Sequence, residues 1–155
     1  MSLRNLQYEL MLISRNYLKP HHGEEEVLDR SAYVLLSRLE LGGPMSLKGL
    51  AAALGLDGST IHRQTATLLH RGYLQHLAGA PGEVARRVGP TPGGLVALEE
   101  SRRVFERGLH SVVGSWPGDK AARFEALLRD FNRQIEALEG TEWPRPDGAT
   151  ESGLP

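Results

Sequence analysis

The stretch that most constrains the fold is LKGLAAALGLDGSTIHRQTATLLHRGYL, which spans residues 47–74. Apolar residues recur three and four positions apart on both sides of a Gly-x-Asp-Gly break, a spacing typical of two short amphipathic helices joined by a tight turn. Ser46 is a good N-cap for the first helix, and Asp57 or Ser59 for the second. The pattern therefore predicts a helix-turn-helix over residues 46–71.

The second of these helices has two chemically different faces. Its apolar side is formed by Ile61, Thr65, Leu68 and Leu69. Its other side is short, polar and cationic, and consists of Ser59, Thr60, Arg63, Thr67 and His70, flanked by His62 and Gln64. No acidic residue, which phosphate would repel, occurs between Ser59 and Gly82. Arginine can donate two hydrogen bonds to guanine, and glutamine can form two with adenine. The pattern therefore predicts a recognition helix for the major groove of DNA.

The remaining elements surround this motif. Apolar periodicity predicts a helix over residues 3–19, a second one stopped by Gly42-Gly43-Pro44, and two more within residues 92–139. Residues 73–90 predict a β-hairpin, which would form a wing. Trp116-Pro117-Gly118 separates the last two helices, with Asp119 as the expected cap of the final one. The predicted fold class is mainly α with a small β-hairpin, in one domain over residues 1–139. The Gly- and Pro-rich tail, residues 140–155, is predicted to be disordered.

Two of the predicted helices carry apolar stripes that need partners. The stripe of the first helix consists of Leu3, Leu6, Leu10 and Ile13, and that of the last helix includes Phe124, Leu128, Phe131 and Ile135. In an elongated architecture one chain has difficulty covering both, which favours a homodimer. The alternative is that the two stripes pack on each other in a monomer. A two-fold dimer would suit a DNA target with two half-sites.

Composition narrows the classes of function. The 155 residues include no cysteine, which excludes disulfides, thiolate nucleophiles and thiol redox sensing. The net charge of -1 points to no partner by itself. However, residues 59–98 contain four arginines and a single acidic residue, so the chain has a locally basic segment. No apolar run is long enough to span a bilayer, and the sequence predicts a cytoplasmic protein.

Catalytic and metal sites are weakly indicated. No Gly-x-Ser-x-Gly motif or Walker-type loop is present, and helix breaking and capping explain Gly42-Gly43 and Gly93-Gly94. His21-His22 beside Glu24-Glu25-Glu26, and Glu106 with His110, are the candidate metal ligands. Neither cluster supplies the three or four converging ligands that zinc requires. The sequence therefore predicts no enzyme, no metal and no cofactor.

The chain resembles the MarR family of bacterial transcriptional regulators. MSLKGLAAALGLDGSTIHRQTATLLHRGYL is similar to the helix-turn-helix of that family, and TPGGLVALEES to its Thr-Pro-x-Gly-x-x-x-Leu motif after the wing. The likeness in element order runs from about Leu3 to Leu138. It implies a winged-helix homodimer joined through its first and last two helices. It also implies repression or activation of nearby genes, relieved by a small aromatic or phenolic ligand.

The resemblance also implies site residues. By position, the DNA-binding residues would be Ser46 at the start of the helix-turn-helix, Ser59, Thr60, His62, Arg63, Gln64 and Thr67 on the recognition helix, and Arg86 or Arg87 in the wing. The usual wing has an Asp-x-Arg-Asp/Gly-Arg pattern in which the acidic residue steadies the arginine. This chain has GEVARR instead, in which Glu83 would replace the aspartate at a different spacing.

Three alternatives to a ligand-released regulator stay open at this point. They are a dimeric adaptor whose winged helix no longer binds DNA, a metal-responsive regulator, and an enzyme. Tyr8, Tyr17, Tyr33 and Trp116 could border a ligand crevice, but packing in the core explains these aromatic residues equally well.

Overall fold

The structure is a computed structural model that describes residues 1–17 and 28–146. It contains α1 (Leu3–Asn16), α2 (Arg30–Gly42), β1 (Met45–Ser46), α3 (Leu47–Leu54), α4 (Gly58–His70), β2 (Leu74–Leu77), β3 (Arg87–Pro90), α5 (Pro92–Val113) and α6 (Gly118–Glu139). The predicted fold class, mainly helical with a small sheet, is confirmed. The order of the helices and hairpin agrees with the prediction, although α1 ends at Asn16 and residues 18–19 lie outside the described residues.

The sheet has one strand more than the sequence predicted. Met45 and Ser46 of β1 pair antiparallel with Val88 and Arg87 of β3, so the strand order is β1-β3-β2. A strand of two residues has too little periodicity to be recognised in a sequence. Because β1 leads directly into α3, this pairing connects the wing to the start of the helix-turn-helix.

Side-chain caps fix where the DNA-binding helices begin. Ser46 Oγ accepts the backbone N–H of Gly49 at 3.0 Å, and Asp57 Oδ1 accepts that of Thr60 at 2.7 Å. Of the two candidates, Asp57 is therefore the N-cap of α4. The prediction that Asp119 caps α6 is wrong. The helix starts at Gly118, directly after Pro117, so Asp119 already lies in the first turn and pairs with Arg123.

The core lies where α2, α3, α4 and α5 meet the sheet. Its fully buried apolar side chains are Leu35, Leu36, Leu39, Leu50, Ile61, Val88 and Leu98. Burial of one leucine side chain contributes roughly 2 kcal/mol of transfer free energy. By contrast, neither α1 nor α6 has a buried residue. The DNA-binding half thus has its own core, whereas the two outer helices do not.

The beginning of the predicted disordered tail is instead folded back against α6 and α2. The guanidinium of Arg145 lies 2.6 Å from the carboxylate of Glu136, and the ring of Trp143 lies 5.9 Å from Arg38 Cζ. This ion pair and ring contact join residues that are distant in sequence, so composition alone did not reveal them. The prediction of disorder therefore does not describe residues 141–146, and residues 147–155 lie outside the described chain.

Candidate nucleic-acid interface

The recognition helix α4 has the two faces that its sequence predicted. Ile61, Thr65 and Leu68 are buried against the core. Ser59, His62, Arg63 and Thr67 are exposed, and Thr60 and Gln64 are half-buried at the boundary. The structure therefore brings the predicted recognition-helix residues together on one accessible surface, which we call the α4 face.

The cationic and aromatic side chains at the centre of the α4 face are available to a ligand. Within residues 1–17 and 28–146, the side chains of His62 and Arg63 form no hydrogen bond or ion pair. The hydroxyl of Thr67 donates to the carbonyl of Arg63 at 3.0 Å, so its proton is already used inside the helix. Arg63 is thus the residue of this face that is best suited to donate to a base or a phosphate.

Asp57 organises the first turn of α4, a role that the sequence analysis did not foresee beyond the cap. Its carboxylate accepts the hydroxyl of Ser59 at 2.7 Å and the hydroxyl of Thr60 at 2.9 Å, in addition to the backbone N–H of Thr60. These hydrogen bonds, that from Ser59 first, lower the pKa of Asp57 to about 2. Asp57 is therefore a carboxylate at neutral pH, and the two hydroxyl groups are held beside it.

The loop of the wing is closed by one carboxylate. Glu83 pairs with Arg87 through contacts of 2.8 Å to Nη2 and 3.0 Å to Nε, and it accepts the backbone N–H of Ala80 at 3.2 Å. The hydrogen bond from Arg87 holds the pKa of Glu83 below its usual range. Arg86 is exposed and, in the part of the chain that the structure describes, its side chain has no partner. The structure thus distinguishes the two candidate wing arginines, since Arg87 is held by Glu83 and Arg86 is not.

We expect Glu83→Ala to loosen this loop without unfolding the domain. The substitution removes the acceptor of both Ala80 N–H and the Arg87 guanidinium, while the sheet pairing of β3 remains. Hydrogen exchange followed by NMR should show a protection factor at the Ala80 amide at least severalfold lower than in the native protein. Because the folded-state pKa of Glu83 is lowered, its contribution to loop order is present above the unfolded-state pKa and is lost as the pH falls through the lowered pKa.

Arg86→Ala is the control for the wing, since it removes a neighbouring arginine whose side chain forms no hydrogen bond or ion pair within the described residues. Its Ala80 amide should exchange as in the native protein. Equal exchange at Ala80 in Glu83→Ala and the native protein would mean that Glu83 does not hold the loop.

Two further cations lie on the helix-turn-helix, and neither is among the predicted DNA-binding residues. Lys48 is exposed in the first turn of α3. Arg71, directly after α4, has its guanidinium carbon 4.7 Å from the ring centre of Tyr73. Neither was predicted as a DNA contact, because single exposed cations are common on any protein surface.

The predicted dimerisation residues are exposed in the single chain. The exposed fractions are 70% for Leu3, 41% for Leu6 and 45% for Ile13 on α1, and 40% for Phe124, 36% for Leu128, 39% for Phe131 and 38% for Ile135 on α6. Leu10 is half-buried. The rings of Phe124 and Trp116 pack edge to face, with centroids 5.7 Å apart. These stripes are thus not buried in a monomeric core.

The predicted metal candidates receive no structural support. His21, His22 and Glu24-Glu25-Glu26 lie outside the described residues. Glu106 and His110 are described, but among the residues described no group of three or more histidine, aspartate or glutamate side chains could hold a metal ion. Of the aromatic residues considered for a ligand crevice, Tyr33 is half-buried against Phe105 with ring centroids 4.9 Å apart, whereas Tyr8 and Tyr17 are exposed.

Comparison with known proteins places the helix-turn-helix in a known class. The family model of the IclR helix-turn-helix domain matches residues 27–78. The chain is 28% identical over 131 residues to YxaD of Bacillus subtilis, described as an uncharacterized HTH-type transcriptional regulator, with 83% of this chain and 91% of YxaD covered. The residues matched by the family model include β1, α3, α4 and β2, which belong to the half of the molecule that carries the α4 face.

Solved structures extend the likeness to the whole architecture. A MarR family protein from Bacillus stearothermophilus has a TM-score of 0.65 at 20% identity, with 86% of this chain and 89% of that chain covered. A mutant of MarR from E. coli, solved in complex with operator DNA, has a TM-score of 0.60 at 17% identity, covering 82% of this chain and 93% of that one. This chain has the MarR fold. The similarity spans most of the chain, and so it includes the outer helices of the MarR fold as well as its helix-turn-helix.

In residues 1–17 and 28–146, no helix is both long enough and apolar enough to cross a membrane.

Proposed function

We propose that this DNA-binding transcriptional regulator binds a pseudo-palindromic operator as a homodimer and represses the genes beside it. The observation that carries the proposal is the α4 face, on which His62, Arg63 and Thr67 are exposed opposite a buried apolar stripe. In a MarR fold this face is the one that would enter the major groove.

The distribution of cationic side chains over the helix-turn-helix and the wing supports contact with DNA. Arg63 would contact a base edge or the phosphates beside the groove, and Lys48 and Arg71 would contact the flanking phosphates. The wing follows α4 in the chain, and its exposed Arg86 would contact the neighbouring backbone or minor groove. The proposed contact set also includes Ser46 and, on the recognition helix, Ser59, Thr60 and Gln64. Contacts to phosphate position the protein, whereas contacts to base edges provide its sequence preference.

Dimerisation is proposed because the apolar stripes of α1 and α6 remain largely exposed in the described part of the chain. A homodimer would cover both stripes and would place two α4 faces on one side of the DNA. For a two-fold protein of this class, half-sites lie about 34–36 Å or a multiple of this distance apart. In the same proposal the domain spans residues 1–139, with the wing at residues 73–90 and the dimerisation helices at its two ends.

A binding role is favoured over catalysis. The relative from Bacillus subtilis is named as an HTH-type transcriptional regulator, and the α4 face has the composition of a nucleic-acid surface rather than of a catalytic site. Release by a small aromatic ligand, which the resemblance to the MarR family implies, and a cytoplasmic location, which the sequence predicts, are further parts of the proposal.

The test is fluorescence anisotropy of the purified protein with DNA from upstream of its own gene and with scrambled DNA of equal length. We expect tighter binding to its own upstream DNA and a linear decrease of log affinity with log salt concentration. Arg63→Ala should weaken specific binding about tenfold or more. The control is Arg107→Ala, which removes the same charge from the exposed surface of α5 and should leave affinity unchanged.

The same measurement distinguishes the adaptor alternative. Binding without preference for its own DNA and without a salt slope would contradict the proposal. A helical dimer without DNA affinity would then be the better description.

A further inference from the structure

The first turn of α4 contains a hydrogen-bonded cluster whose directions are fixed by chemistry. Asp57 accepts from the hydroxyl groups of Ser59 and Thr60 at 2.7 Å and 2.9 Å. An ionised carboxylate has no hydrogen to give, so each hydroxyl must be the donor of its bond. A hydroxyl has one hydrogen and two lone pairs. Both hydroxyl hydrogens are therefore used inside the cluster, and only lone pairs are left to meet a ligand.

This arrangement restricts which parts of DNA the cluster can contact. Phosphate oxygens accept hydrogen bonds and carry negative charge, so neither the lone pairs of Ser59 and Thr60 nor the carboxylate of Asp57 can bind them. In addition, Asp57 occupies the place at the helix N-terminus where an anion would otherwise be favoured. The cluster is thus suited to hydrogen-bond donors. In the major groove, those donors are the exocyclic amino groups of cytosine (N4) and adenine (N6).

We propose that Asp57 sets the base preference at the start of the recognition helix by making Ser59 and Thr60 hydrogen-bond acceptors only, so that they select cytosine or adenine. This inference rests on the proposed DNA-binding function and assigns a specificity role to a residue that the sequence indicated only as a helix cap. Arg63, one turn further along α4, supplies donors instead. The α4 face therefore presents acceptors at its first turn and donors at its next.

The decisive variant is Asp57→Asn, because asparagine is an equally good N-cap. Its amide oxygen can still accept the N–H of Thr60, so α4 should remain folded. The same oxygen can keep the hydroxyl of Ser59, whereas the amide nitrogen that replaces Oδ2 donates to the Thr60 hydroxyl oxygen, so the hydroxyl hydrogen of Thr60 can turn outward. The control is Asp29→Asn, which makes the same chemical change at the N-cap of α2, where Asp29 accepts the N–H of Ala32 at 2.8 Å. Ser59→Ala removes one of the two acceptors while it leaves Asp57 in place.

The experiment is selection of binding sites from a randomised DNA duplex pool by the full-length protein, followed by affinity measurements. Every Watson–Crick pair presents one amino donor in the major groove, so the native protein and Asp29→Asn should fix which strand carries the cytosine or adenine at the base pairs that face the start of α4. With Asp57→Asn, this strand preference should fall about tenfold, and guanine or thymine should become acceptable on that strand. Ser59→Ala should lose part of the preference for cytosine or adenine, and it should not bind sites with guanine or thymine at that position any better than the native protein does.

A modified operator provides a second readout. N4-methylcytosine or N6-methyladenine at the selected position keeps base pairing but blocks the amino hydrogen in the groove. The modified base should lower the operator affinity of the native protein about tenfold and leave the affinity of Asp57→Asn nearly unchanged.

The outcomes separate this inference from the function on which it rests. If the native protein enriches no sequence, the proposed function itself fails. If the native protein enriches a sequence but Asp57→Asn retains the same bases and the same sensitivity to methylation, the inference is overturned while the regulator remains. A native protein that accepts the base pair at these positions in either orientation would also overturn it. Circular dichroism of each variant checks that α4 is intact.

Discussion

Alanine in place of Gly94 is expected to destabilise the protein by about 3 kcal/mol or more, which places it at the upper end of overpacking substitutions. Gly94 is buried in the first turn of α5, and a Cβ added there would lie 2.1 Å from the backbone carbonyl oxygen of Tyr73. That carbonyl accepts the N–H of Thr91, and the hydroxyl of Thr91 donates to the carbonyl of Gly72 at 2.6 Å. Because the obstacle is hydrogen-bonded backbone, α5 would have to move away from the junction between α4 and the wing.

Gly93→Ala is the matched control for this prediction. A Cβ at Gly93 would meet no atom closer than 3.7 Å, and alanine has the higher helix propensity by about 1 kcal/mol. Thermal unfolding at one fixed protein concentration should therefore show a lower Tm for Gly94→Ala, by roughly 10 °C, and an unchanged or slightly higher Tm for Gly93→Ala. Equal Tm values for the two variants would show that the approach of α5 to Tyr73 is not tight.

The second large effect concerns the proposed dimer. Phe131→Asp should convert the protein from dimer to monomer and reduce operator affinity by about 10²- to 10⁴-fold, because one chain would engage only one half-site. Phe131 is 39% exposed in the single chain and lies in the middle of the α6 stripe. A carboxylate buried there against an apolar partner would lose its hydration without gaining a counterion.

The comparison variant is Ala126→Asp, which places the same charge on the opposite, exposed side of α6. Light scattering coupled to size-exclusion chromatography should report a monomer for Phe131→Asp and a dimer for the native protein and Ala126→Asp. A native protein that elutes as a monomer at micromolar concentration would contradict the proposed homodimer. If Phe131→Asp and Ala126→Asp both dissociate the dimer, α6 is sensitive to any added charge. The α6 stripe would then not be the interface.

Local patterns were predictable because their causes lie within one helical turn or one turn of chain. The two faces of α4 follow from spacing, and Ser46 and Asp57 cap their helices through bonds to residues three positions later. Resemblance to the MarR family added the expected assembly of the elements into a homodimer. The error at Asp119 also has a local cause, since the helix start depended on the backbone of Pro117 rather than on a polar side chain.

Features that depend on distant parts of the chain were not predictable. Gly94 was interpreted as a residue of a helix end, whereas its missing side chain admits the carbonyl of Tyr73, 21 positions earlier. The pairing of β1 with β3 and the contact between Trp143 and Arg38 likewise join residues far apart in sequence. None of these contacts leaves a periodic signal in the sequence.

The sequence by itself determined the helices, the helix-turn-helix and the polar, cationic character of the α4 face, because periodicity and capping act over three or four residues. Only the tertiary structure decided which wing arginine is held, since Glu83 reaches Arg87 through a loop that has no regular period. It also decided in which direction Ser59 and Thr60 donate. Hydrogen-bond direction depends on the position of an ionised acceptor in space, and residue types alone do not specify that position.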